Sequence, residues 1–195
     1  MRMGATGVQY VTGTPPQTPV LRPLRQPLYD TEELTDGATG SVILFTDHKK
    51  FASGATKTEC DTNLTQDGQL GYPLEFDLIG FLGEAERGID SADHDDIYNK
   101  IVFKWFFGAN VPWLRVPLTK IPEGIGKSGA GTTDMPVNGW PVVTNFFNFS
   151  SPDRKARRVS STETFRCELL ICAALSLTAT RKFRVFMLGI LYQQL

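Results

Sequence analysis

The sequence predicts an all-β protein, a single antiparallel sandwich carried behind an extended arm, and three observations lead there. Several short segments alternate apolar and polar residues at period two. No long segment shows the three-and-four spacing of an amphipathic helix. The composition is rich in turn formers and large aromatics, with 18 Gly, 12 Pro and 13 Phe among 195 residues. A chain of this length can bury a core without disulfide or metal staples.

Taken in order, residues 1–40 form the predicted arm. TGTPPQTPVLRPLRQPLYD holds five prolines with Arg22 and Arg25 between them, a composition that favours extended backbone and buries little apolar surface. The sandwich is expected over 41–195. SVILFT (41–46) is a short apolar run, and a polar loop follows it. In LEFDLIGFL (74–82), Leu74, Phe76 and Leu78 alternate with Glu75 and Asp77. The stretch GEAERGIDSADHDD reads as an acidic loop, and IVFKWFF (101–107) and PVVTNFFNF (141–149) as strands. In TFRCELLICAALSL every second residue from Phe165 to Leu177 is apolar, and FRVFMLGILYQQL supplies its partner strand after a turn. Both faces of that C-terminal pair are apolar in places, which predicts burial against the core on one side and a neighbouring subunit on the other. Seven or eight strands with long loops are the profile of a jelly roll.

Charge is unevenly distributed. Residues 28–100 carry sixteen acidic and five basic side chains, residues 101–195 five acidic and twelve basic. The two blocks can pair within one domain or between copies. The basic run Arg154, Lys155, Arg157 and Arg158 is, with Arg22 and Arg25, the candidate for inter-subunit contact. Cations beside Phe146, Phe147 and Phe149 would also suit single-stranded nucleic acid, although four cations make a modest footprint.

No catalytic set emerges, and no enzymatic activity is expected. PEGIGKSGAGTT ends in the Gly-Lys-Ser of a phosphate-binding loop, but Ile121 stands where the first glycine belongs, and prolines flank the segment. Nucleotide binding is therefore not expected. Asp90, Asp93, Asp95 and Asp96 crowd near His94 and are the candidate ligands of a divalent cation at an interface. No other cofactor is expected. Trp113 and Trp140, each near proline, are candidate stacking platforms for a glycan. Cys60, Cys167 and Cys172 are odd in number and lack metal spacing, which suits free thiols in a reducing cytoplasm. The first residues lack a signal-peptide core, and no window is apolar enough to span a membrane.

A proline-rich arm, a C-terminal hairpin apolar on both faces and opposed charge blocks describe surfaces made for copies of the same chain. The arrangement resembles the jelly-roll capsid proteins of tailless icosahedral viruses, phages in particular. DTNLTQDGQLGYPLEFDLIGF (61–81) adds a polar segment, a glycine turn and an alternating strand entering the barrel. The resemblance covers about residues 41–195 at the level of architecture. It implies a self-assembling shell subunit located in a virion, with copies of itself and other shell proteins as partners. The alternative is a carbohydrate- or receptor-binding sandwich of the spike or lectin kind.

Overall fold

The computed structural model describes residues 21–24, 26–108, 110–122, 126–128, 135–137 and 158–194. Two antiparallel sheets pack face to face. The first contains β1 (Leu21–Leu24), β2 (Leu28–Leu34), β4 (Leu74–Ala85), β9 (Arg158–Val159) and β11 (Arg181–Gln194). The second contains β3 (Gly40–Leu44), β5 (Ile101–Phe107), β6 (Leu114–Pro117) and β10 (Phe165–Ile171). A ribbon of β7 (Gly126–Ser128) and β8 (Met135–Val137) lies between β6 and β9 in sequence, and one helix, α1 (Ser91–Lys100), joins β4 to β5.

Strand pairing is nested. β5 pairs with β6, β4 with β9, β3 with β10, and β1 and β2 both with β11. A long hairpin rolled upon itself gives this nesting, and rolling it also brings β11 beside β4 and β10 beside β5. That is the jelly roll. Side chains alternate between the two faces of each strand, so a one-residue slip would expose a whole apolar face.

The inner faces follow from the alternation. Phe165, Cys167, Leu169 and Ile171 of β10 and Ile101, Phe103 and Trp105 of β5 face Phe183, Val185, Met187 and Leu191 of β11. Trp105 is fully buried, with ring centroids of Phe81 at 4.5 Å and Phe45 at 5.2 Å. Each such pair contributes about 1 kcal/mol beyond its buried area. In β4 the inward set changes parity, from Phe76 and Leu78 to Phe81, Gly83 and Ala85. The register against β11 shifts between Leu188 and Gly189, so the Leu78–Gly80 stretch carries one residue more than its partner, a β-bulge.

Three expectations change. The sequence predicts an arm over 1–40, but residues 21–24 and 28–34 are strands. Leu28 and Leu34 are buried in the core, and tertiary pairing with β11 overrides a composition suited to extended chain. The acidic loop is instead the end of β4 and then α1. The strand expected to run to Leu177 stops at Ile171. Beyond it the chain bends, yet Leu175 and Leu177 stay buried because the turn folds back onto Asp36–Ala38.

Candidate functional site

In LYDTEEL (28–34) the residues sharing the inward parity are Leu28, Asp30, Glu32 and Leu34. Two carboxylates thus enter the space between the sheets on the same face of one strand. The chain that follows β3 brings a cation to them. A small antiparallel turn, closed by the Lys50–Thr56 bridge and by the Lys57 N–H donating to the Lys49 carbonyl, places Lys57 beneath β2. Its ammonium donates to Asp30 Oδ1 at 2.9 Å and Oδ2 at 3.1 Å, and to the Asp47 carbonyl at 3.0 Å. Glu32 Oε1 lies 2.7 Å away. The Lys57 and Asp30 side chains are 0% exposed and that of Glu32 only 4%.

Backbone donors complete the site. The Phe45 N–H donates to Asp30 Oδ2 at 2.6 Å, and the Ala52 N–H to Glu32 Oε2 at 3.0 Å. Phe45 holds φ at 69°, a conformation side-chain-bearing residues rarely adopt. Burial pushes the Asp30 carboxyl above the ordinary aspartate range, against the pull of Lys57 and of the Phe45 N–H. One positive and two negative groups leave a surplus negative charge in a place without solvent, an arrangement that is costly as a structural ion pair. Chemically, the site unites an amine, a carboxyl facing it and a second carboxylate able to carry a proton.

A second polar layer fixes the loop over the strand. Asn63 accepts from the Tyr29 N–H at 2.8 Å and donates to the Pro27 carbonyl at 2.7 Å, which covers the edge of β2. Asp61 accepts from Lys182 at 2.8 Å, and Arg184 donates to Thr31 at 3.0 Å and to the Cys60 carbonyl at 2.6 Å. The sequence reading missed Asp30, Glu32 and Lys57 because 28–34 was assigned to the arm. The available signal was two carboxylates at the parity of Leu28 and Leu34.

Those residues singled out from sequence that are described lie elsewhere and do not converge. The four aspartates proposed as cation ligands sit on and before α1, pointing to different partners. Asp93 accepts from the Thr178 hydroxyl and from Arg181, both at 2.7 Å. Asp96 pairs with Lys100 and accepts from the Ser176 N–H, Asp90 lies 3.7 Å from Arg181, and the Asp95 side chain is exposed. Among the described residues no three His, Cys, Asp or Glu side chains are grouped to hold a metal within one chain.

Arg158, expected at a subunit contact, forks onto Asp77 at 2.7 and 2.9 Å and reaches Glu75 at 3.2 Å. Its charge is therefore matched within the chain, and so are those of Arg181 and Lys182, each against the acidic block. Arg22 is exposed on β1. Arg25, Trp140, Arg154, Lys155 and Arg157, with the strand expected at 141–149, lie outside the described residues. Trp113 is half-buried, its ring 5.4 Å from Phe107 in an edge contact. Gly126, Lys127 and Ser128 form β7 and pair with β8, not the strand–loop–helix of a nucleotide site. Cys60 and Cys172 are exposed and Cys167 is buried. Among the described residues no helix is long and apolar enough to cross a membrane. No protein-family profile, curated protein or solved structure matches this chain.

Proposed function

We propose that this chain is a structural subunit of a viral shell, a jelly roll that associates with copies of itself. The observation carrying this reading is the outer face of the sheet built on β11. An antiparallel strand with one face in water normally carries polar residues there. Here the outward positions of β11 include Phe186, Leu188, Ile190 and Tyr192, beside Tyr29 of β2 and Leu82 of β4. The Tyr29 and Phe186 rings meet in a tilted contact, their centroids 5.6 Å apart. Charges bracket the stripe, Arg184 against Tyr29 at one end and Arg158 against Tyr192 at the other. An apolar centre with a charged rim suits a protein–protein contact. The jelly roll serves viral capsids among other roles, so the fold agrees with the reading without deciding it.

The test is the particle mass of the full chain by light scattering, compared with Phe186→Glu combined with Ile190→Glu. Both side chains are half-buried on the outer face, outside the core, so the double variant should keep the wild-type circular dichroism. Wild-type chains should form assemblies of many subunits and the variant should stay small. Equal association by both proteins would remove this face from the reading, and a wild-type chain monomeric at every concentration and salt would count against self-assembly itself.

A further inference from the structure

The Lys57 ammonium meets both oxygens of Asp30 at nearly equal distances, 2.9 and 3.1 Å. Its nitrogen is therefore held in contact with the Asp30 carboxyl group, the proximity that turns a bimolecular condensation into an intramolecular one. A simple ion pair needs one carboxylate. This site has two, and the second, Glu32, touches the same nitrogen at 2.7 Å. Water, which would compete for an acyl carbon and stabilise the separated charges, is excluded by burial on all three side chains.

We propose that Lys57 and Asp30 condense into an intramolecular amide bond, with Glu32 as the proton carrier. In the dry site the Lys57 ammonium gives one proton to Asp30 Oδ1, leaving a neutral amine and a neutral acid. The amine lone pair attacks Asp30 Cγ, the N–C bond forms, and negative charge gathers on Oδ2, where the Phe45 N–H already donates at 2.6 Å. Glu32 takes a proton from the attacking nitrogen and delivers it to Oδ1. The Cγ–Oδ1 bond then breaks, Oδ2 reforms the carbonyl, and one water leaves. Of the three ammonium protons, two depart in that water and one remains on the amide nitrogen. Glu32 returns to its carboxylate, and no oxidant or cofactor is consumed. Burial raises the Asp30 carboxyl in the direction that favours its neutral form. The amide replaces two buried charges by a neutral group and fastens the 49–57 turn to β2.

Intact-mass measurement of the denatured full-length protein tests this directly. The expected mass is below the sequence mass by one water. Asp36–Gly37 and Asp67–Gly68 can also lose water, by succinimide formation, so the site of loss must be mapped. Tryptic digestion should give a branched peptide joining Asp30 to an uncleaved Lys57, stable to mild base, which reopens succinimides. Lys57→Arg should show the full sequence mass. Glu32→Gln, which keeps the side-chain shape, should lose most of the cross-linked fraction. A wild-type protein of full sequence mass, or a water loss confined to the Asp-Gly sites, overturns the proposal. An undiminished cross-link in Glu32→Gln overturns the role of Glu32.

Discussion

Gly189 faces inward on β11 opposite Leu78, at the β4 bulge. A Cβ there would collide with the Asp77 carbonyl oxygen and with the Phe76 ring at 2.7 Å. Neither can yield cheaply, because one is strand backbone and the other a fully buried aromatic. Gly189→Ala should therefore cost about 3 kcal/mol, read as a lower urea midpoint with unchanged slope. Asp93 offers a prediction in pH. Burial alone would push its carboxyl up, but the Thr178 hydroxyl and N–H and the Arg181 guanidinium outweigh that and hold it below the ordinary aspartate range. A depressed folded value means stabilisation fully present above the unfolded value of about 3.9, and lost as pH falls through the folded value. Asp93→Asn should be less stable than wild type by about 2 kcal/mol at neutral pH. Its stability should also fall less steeply on acidification, because the Asp93 titration is gone while Asp61 and other carboxylates still contribute a fall. Parallel acid profiles for the two proteins would show that Asp93 is not the group responsible.

Which elements the sequence reveals depends on what their inward faces carry. The strands at 74–85, 101–107 and 165–171 are legible because apolar residues fill the buried parity. Helix α1 is not, since its buried positions are Asp93, Ile97 and Tyr98. A carboxylate on the core face erases the amphipathic pattern, and the cation that makes it tolerable, Arg181, stands 88 residues away. β2 hides for the same reason, its inward Asp30 and Glu32 answered by Lys57. β9 has two residues, too few for any periodicity, and its place beside β4 is fixed by the fork of Arg158 on Asp77. Local pattern thus found the apolar elements. Those whose inward charge is matched by distant residues needed the fold itself.

For the whole molecule, the nested pairing places β2 against the C-terminal strand, so residues 28–34 belong to the core. Deleting residues 1–27 removes β1, a four-residue strand whose Leu24 is only half-buried, at a cost of about 1–2 kcal/mol. Deleting 1–34 removes Leu28 and Leu34 as well and leaves Lys57 buried without either carboxylate. Each leucine is worth about 3 kcal/mol, and an orphaned buried charge about 4 kcal/mol. The total of about 10 kcal/mol falls within the whole stability of a domain, about 5–15 kcal/mol. The shorter deletion should then unfold cooperatively with a modestly lowered midpoint, while the longer one should show no cooperative transition. A longer deletion that still folds would deny that β2 and its carboxylates belong to the core. The folded 28–195 chain also separates two sources of association. If it stays small while the full chain assembles, the arm ties subunits together; if it assembles as well, the outer face of the β11 sheet is sufficient.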